Sequence, residues 1–340
     1  MVDRNPHIFP GAPHVVILGA GASKAAFPNG DANGKVVPLM NELIPLLGLD
    51  RILKKYNIKF ENTNIEDIYS DLILQNNNTE LVEYLNQVIY EYFEEMKLPD
   101  APTLYDYLLL SLRSKDIIAT FNWDPFLGQA YQRNRDIKNL PQVAFLHGNV
   151  FVGICTDDKK FGFVNCKCSV CNNFFSPVGL LYPVKEKNYT QNPFINEQWK
   201  IIQHYLKNAY IFTIFGYGAP DTDVEAVSLL KNAWTKNQLI EQYEVEIVNI
   251  DSYDKLEKKW SPFIFKEHCS ILSSIKDSEL WLYPRRTCEA FAASHLMNRP
   301  WQFNRFPDLI KLSDLHQWIK PLVDEEAAGD NFNGEPCPSL

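Results

Sequence analysis

Four clusters in this 340-residue chain combine residue types with a spacing that can do chemistry. In Gly19-Ala20-Gly21-Ala22-Ser23 the two glycines let the backbone turn tightly and approach a pyrophosphate, while Ser23 can cap a helix and offer a hydroxyl. Lys24 stands where the dehydrogenase fingerprint has its third glycine, and no second strand ends in an acid about 20 residues on, which argues against a plain hydride-transfer domain. The same residues also suit an ordinary strand-to-helix turn. In Thr120-Phe121-Asn122-Trp123-Asp124 an amide and a carboxylate stand two residues apart. Asn122 can hold a carboxamide or a ribose hydroxyl, and Asp124 can stabilise a developing cation; Asp124-Pro125 equally suits the start of a helix. His147, followed by Gly148, has room at a cleft edge, and an imidazole, whose unperturbed pKa is about 6.5, suits general-base work; a hydrogen-bonded structural histidine is the alternative. His14, His204, His268, His295 and His316 are read as structural. Cys155, Cys166, Cys168 and Cys171 either supply four thiolates to a tetrahedral zinc or remain free thiols, because only one C-x2-C pair occurs among them. Cys269, Cys288 and Cys337 are read as core or tail thiols.

The elements that must position these groups follow from hydrophobic patterning. Val15–Leu18 is a short β-branched run closed by the glycine cluster, as in a buried parallel strand. No helix is expected immediately after it, since Phe27–Lys35 is dense in turn residues and reads as a flap. Leu81, Leu85, Val88, Ile89, Tyr92, Phe93 and Met96 recur at helical offsets, and 50–113 is read as a helical insertion. Four further strand-like runs, Ile117–Ala119, Val143–Leu146, Ile211–Phe215 and Val245–Val248, each end in a polar or glycine cluster. Helical stretches at 125–133, 194–208, 221–236 and 252–259 separate most of them, so the alternation is that of a doubly wound parallel α/β sheet. Ligands bind such sheets outside the carboxyl ends of the strands. Residues 151–190 form a small cysteine-containing lobe, 266–322 a partly helical extension, and 1–13 and 323–340 an arm and a loose acidic tail.

Composition sets the outer limits. The chain is 46% hydrophobic and 22% charged, which excludes a disordered or fibrous protein. With 33 Lys+Arg against 42 Asp+Glu, the net charge of -9 gives no basic field for broad nucleic-acid binding. No apolar run approaches the length of about 20 residues that a membrane span needs, and no signal-peptide pattern opens the chain. Seven cysteines in a chain too large to need disulfide staples point to a reducing compartment, so a soluble, cytoplasmic protein is expected.

Taken in order, these stations resemble the sirtuin (silent information regulator) family over about 14–255. Gly19-Ala20-Gly21-Ala22-Ser23 is similar to its GAG-x-S loop, Thr120-Phe121-Asn122-Trp123-Asp124 to its T-x-N-x-D, and Leu146-His147-Gly148 to its HG. Gly216-Tyr217-Gly218 resembles the later glycine/serine loop, and Asn249 the ribose-contacting Asn after a strand. The resemblance implies a Rossmann-like NAD domain spanning 14–265, a helical insertion and a zinc-bearing lobe. The deacylase stretch G-I-P-D-F-R is replaced by Ala25–Gly34, which has no Arg, and Gly218 stands where deacylases usually carry Ser. These departures look closer to bacterial sirtuin-like proteins of anti-phage defence, which consume NAD.

That resemblance implies hydrolysis of NAD+ to nicotinamide and ADP-ribose. Gly19, Ala20, Gly21 and Ser23 would bind the pyrophosphate, with Thr120, Gly216 and Gly218 completing the cofactor site. Asn122 would orient the nicotinamide ribose or the attacking water, His147 would accept a proton, and Asp124 would oppose the nascent cation. Asn249 and Asp251 would reach the adenine ribose. Protein deacylation and non-catalytic NAD or ADP-ribose sensing are the alternatives. A homo-oligomer and a HerA-type ATPase partner are implied by the resemblance only.

Overall fold

The structure, a computed structural model, describes residues 11–58, 64–75, 78–182, 189, 192–220, 223–237, 243–264 and 268–327. Residues 1–10 of the expected arm, 328–340 of the expected tail with Cys337, and 183–188 and 190 of the expected lobe lie outside the described residues. The strands are β1 (His14–Leu18), β2 (Ile117–Thr120), β3 (Gln142–Phe145), β4 (Val152–Cys155), β5 (Lys160–Phe163), β6 (Ser176–Pro177), β7 (Ile211–Phe215), β8 (Glu244–Val248) and β9 (Cys269–Leu272). Six of them form one parallel sheet in the order β3-β2-β1-β7-β8-β9. The chain winds outward from β1 in one direction through β2 and β3, then returns to lay β7, β8 and β9 on the other side. The switch point therefore lies between β1 and β7, where a doubly wound sheet opens a crevice. Every residue of β1, β2, β7 and β8 is buried; β1, β2 and β7 are apolar apart from His14, Thr120 and Thr213, whereas β8 also buries Glu244 and Glu246, which accept from the Ser270 and Thr213 hydroxyls.

Two expectations about the sheet are corrected. The domain does not close at 265, because β9 pairs with β8 as the sixth strand. Its residues are only half-buried and its apolar run is broken by Ser270, whose hydroxyl donates to Glu244, so it carries no strong strand pattern. Secondly, a helix, Ala20–Ala26, follows β1 at once, with extended Gly19 as its N-cap and four alanines favouring it. The flap begins only after Phe27, and the Asp31 carboxylate organises it by accepting from the backbone N–H groups of Asn33, Lys35 and Lys97.

The helical insertion shares its core with the sheet. Leu81, Leu85, Ile89 and Phe93 of helix Thr79–Glu94 are buried in the same apolar cluster as β1 and β2. Helix Leu104–Leu110 is closed by a capping box between Thr103 and Asp106. The lobe contains a three-stranded antiparallel sheet, β5-β4-β6. At the C-terminus, helix Leu312–Ala327 runs through Asp324–Ala327, which the acidic composition assigned to the tail. Buried Leu315, Ile319, Leu322 and Val323 hold it to Tyr107, Trp281 and Phe306, and Glu326 pairs with buried Arg285. Among the described residues no helix is long and apolar enough to cross a membrane.

Candidate functional site

A cavity of about 910 Å³ opens at the carboxyl ends of the central strands, within the usual size of a small-molecule site. Its floor at the switch point is made by two glycine turns that interlock. Gly19 N–H donates to the Phe215 carbonyl and Gly21 N–H to the Gly216 carbonyl, each at 3.0 Å. A Cβ on Gly19 would stand 2.5 Å from the Tyr217 Cα, and one on Gly21 would stand 2.8 Å from the Gly216 carbonyl oxygen. The small residues expected to admit a pyrophosphate are thus required by backbone-to-backbone packing, and the N–H groups of Gly19 and Gly21 are already bonded within the protein. Gly19, Ala20, Gly21, Gly216 and Gly218 all line the cavity.

Asn122, Asp124 and His147 line it too, from the loops after β2 and β3. Ser23 and Thr120, also expected to touch ligand, do not. Ser23 is fully buried behind the loop, where its hydroxyl donates to Asp124 Oδ2 at 2.7 Å and accepts from Asn122 Nδ2 at 2.8 Å. Thr120 Oγ1 accepts the Asn122 N–H at 3.0 Å, which folds the loop back on its own strand end. Asn122 Nδ2 also donates to the Gly19 carbonyl at 3.0 Å, tying the loop after β2 to the first glycine turn. Asp124 Oδ1 accepts from Phe126 N–H at 3.3 Å, so it supports the start of helix Phe126–Arg133 while its residue lines the cavity. Burial pushes the Asp124 carboxyl up to about 6 against the opposing pull of the Ser23 hydroxyl. Asn149 braces the loop, its amide donating to the Asn122 and Asp124 carbonyls.

The His147 ring is held among aromatics. It meets Phe121 edge-on at 4.8 Å, and its Nε2 lies 3.1 Å from the Tyr189 hydroxyl. Burial raises the Tyr189 phenol far above its ordinary range, so this hydroxyl keeps its proton. Phe121 also stacks on Tyr217 at 4.2 Å, and Tyr217 is anchored through its hydroxyl to Asp223. At the far end Asn249 and Asp251 line the cavity after β8; Asn249 Oδ1 accepts the Asp251 N–H at 3.1 Å, and Asp251 pairs with Lys255.

Sequence reasoning missed several lining residues. Ser273, Ser274 and Lys276 come from the loop after β9, a strand without a clear pattern, and Lys24 and Glu66 come from the helical layer. Lys24, noted only as breaking the dehydrogenase pattern, forms an ion pair with Glu42.

In the lobe, three of the four expected cysteines converge. The donor atoms of Cys155, Asp158, Cys168 and Cys171 lie within 4.8 Å of one another. Cys155 Sγ is 3.4 Å from Cys171 Sγ, and Asp158 Oδ2 is 3.2 Å from Cys168 Sγ and 3.5 Å from Cys155 Sγ. Ordinary zinc–ligand bonds in a tetrahedron place donors about 3.5–3.8 Å apart, so three thiolates and a carboxylate fit a structural zinc. Cys166 stands outside this group. Its sulfur accepts from Gln132 Nε2 at 3.5 Å, and Asp158, which no cysteine pattern could flag, takes the fourth place.

No protein-family model matches the chain, and no curated protein matches it. Among solved structures, a complex of a Sir2 homologue with NAD covers 80% of this chain and 88% of that one, with 14% identity and a TM-score of 0.35. A Sir2 homologue variant in complex with ADP-ribose covers 98% and 100%, with 12% identity and a TM-score of 0.40. A structure described as the basis of sirtuin substrate affinity covers 80% and 93%, with 15% identity and a TM-score of 0.39. These three are described as Sir2 or sirtuin structures.

The chemistry available in the cavity follows from its own groups. It offers the amide of Asn122, whose Nδ2 is already bonded to Gly19 and Ser23, a buried carboxyl at Asp124 and an imidazole at His147, between aromatic walls and two glycine turns. A cation that develops in such a place is opposed by a carboxyl held in a poorly solvated site, and a proton released there meets a group that can accept it.

Proposed function

We propose that the chain is an NAD+ hydrolase that cleaves the bond between nicotinamide and ribose. The observation that carries this reading is that Asn122, Asp124 and His147, from two successive strand-end loops, line one cavity with both glycine turns at the sheet's switch point. In the reaction water attacks ribose C1′, the C1′–N1 bond breaks, and its electron pair neutralises the pyridinium as nicotinamide leaves. The water's proton goes to His147, and ADP-ribose is the second product. Positive charge gathers on the ribose as the bond loosens, and the Asp124 carboxylate opposes it. Asn122 orients the ribose or the water, and Asn249 and Asp251 hold the adenine ribose. The sirtuin-like order of these motifs supports the same substrate, and the Arg-free Ala25–Gly34 segment favours hydrolysis over deacylation.

The test is a time course of NAD+ against nicotinamide with the purified full chain, with and without an acetyl-lysine peptide. Turnover independent of peptide is expected, with losses of about 100-fold or more in Asn122→Ala and His147→Ala. Undiminished turnover in both variants overturns the assignment. Release that requires the peptide makes the chain a deacylase, and saturable NAD+ binding without product makes it a sensor. Because unrestrained NAD+ loss is toxic, low basal turnover is expected, lifted in a homo-oligomer or by a partner such as a HerA-type ATPase.

A further inference from the structure

Tyr105 belongs to none of the motifs. It comes from helix Leu104–Leu110 of the helical insertion and is fully buried, its ring stacked with Phe27 at 6.2 Å and packed against Phe126 at 6.0 Å. Its hydroxyl lies 2.5 Å from Ser23 Oγ and 3.4 Å from Asn122 Nδ2. Counting protons fixes the direction of each bond. Ser23 has one hydroxyl proton and donates it to Asp124 Oδ2. The short contact with Tyr105 must then be filled by the Tyr105 proton, and the contact with Asn122 by an amide N–H. Asn122 Nδ2 thus spends its hydrogens on Ser23 Oγ, Gly19 O and, more weakly, Tyr105. The Asn122 side-chain oxygen is the end of the amide left for the cavity.

We propose that Tyr105 is a positioning residue: by giving its O–H to Ser23 it sets the polarity of the chain Tyr105→Ser23→Asp124 and makes Asn122 present its Oδ1, as an acceptor, to the ligand. On the NAD+ hydrolase reading, that acceptor receives a ribose hydroxyl or the attacking water; the hydrogen-bond polarity itself does not depend on that reading. Burial, followed by the Asp124 charge, holds the Tyr105 phenol well above its ordinary range, so Tyr105 remains a donor. Asp124 meets the Ser23 hydroxyl and the Phe126 N–H, and its charge acts on the Tyr105 phenol across Ser23.

Tyr105→Phe removes the hydroxyl and keeps the ring that packs on Phe27 and Phe126, and thermal unfolding checks that it folds. The decisive readout is the carboxyl carbon-13 titration of Asp124 in the ligand-free full chain. A Ser23 hydroxyl that no longer receives a proton from Tyr105 donates less strongly, so the Asp124 midpoint rises by on the order of half a pH unit. A midpoint that is unchanged or lowered overturns the proposal, whatever turnover does. Where the chain releases nicotinamide, kcat in Tyr105→Phe falls about five-fold with KM nearly unchanged, and Tyr105→Phe with Ser23→Ala is no worse than Ser23→Ala alone. A raised midpoint in a chain that does not hydrolyse NAD+ leaves the Tyr105 relay standing and overturns the hydrolase reading alone.

Discussion

Four single Gly→Ala substitutions separate the two ways a glycine can be required. Gly218 has no left-handed φ and nothing within 4 Å of its added Cβ. Gly34 has open space but a φ of +77°, whereas Gly19 has a φ of -114° but would place its Cβ 2.5 Å from the Tyr217 Cα. Gly216 combines both: its φ is +63°, and its Cβ would stand 2.5 Å from the Gly21 carbonyl carbon. Left-handed backbone costs an L-residue about 1–2 kcal/mol. Forcing extra volume into packed backbone costs about 1–3 kcal/mol, and here no flexible side chain can swing aside. Gly218→Ala is therefore expected within about 1 kcal/mol of the parent, on either side, since alanine also restricts the unfolded chain. Gly34→Ala should lose about 1–2 kcal/mol and Gly19→Ala about 1–3, while Gly216→Ala should lose roughly the sum, about 2–5 kcal/mol. Urea unfolding at constant m reads these values as shifts in midpoint. Only the two substitutions at the interlocked turns should also weaken ligand binding, because they displace Tyr217, which stacks on Phe121 at the His147 ring. A Gly216→Ala protein as stable as Gly34→Ala would refute the packing argument, and so would a Gly19→Ala protein as stable as Gly218→Ala.

The lobe is expected to carry one zinc per chain by metal analysis; Asp158→Ala and Cys171→Ser should lose it, Cys166→Ser should keep it, and a chelator should lower the unfolding temperature of the parent. Retention in Asp158→Ala with loss in Cys166→Ser would show the wrong ligand set. A second expectation concerns acid stability. Burial lowers the pKa of His14 from 6.5 to about 3, with Asp116 opposing the shift and Lys115 adding to it. The unfolded chain therefore takes up a proton that the folded chain refuses, so this contribution is intact above pH 6.5 and is lost progressively as pH falls toward 3. Between pH 7.5 and 5 the loss is about 2 kcal/mol, and His14→Gln should remove that slope from the denaturation free energy even where it lowers stability at pH 7.5. Parallel curves for the two proteins would show that His14 titrates normally.

How much of this could be read beforehand depends on how local the deciding contacts are. The buried strands β1, β2 and β7 are legible because a parallel strand covered on both faces is apolar along most of its length, and β8 shows itself through Val245, Ile247 and Val248 although it also buries Glu244 and Glu246. The edge strand β9 is not, since half-burial admits Ser270 and erases the run. Helix Ala20–Ala26 was hidden by the turn-rich residues that follow it, and the end of helix Leu312–Ala327 by its acidic composition, though Arg285 compensates Glu326.

The same distinction runs through the site. Asn122, Asp124 and His147 are legible because they follow the ends of β2 and β3, where topology alone delivers them to the crevice. The packing requirement on Gly19 and Gly21 was not legible because the atoms that forbid a side chain there belong to Gly216 and Tyr217, in the turn after β7, almost 200 residues away in the chain, which β1 meets only in the folded sheet. Asp158 was missed because a single carboxylate beside three thiols follows no spacing rule. Tyr105 is the extreme case, since its role exists only through Ser23, to which it is bonded across 82 positions. Groups that act on a ligand from their own strand end can be found one motif at a time. Those that set the orientation of such groups are visible only when the donors and acceptors around them are counted together, which is why the hydroxyl of Tyr105 is the more searching test of this site than any of its motif residues.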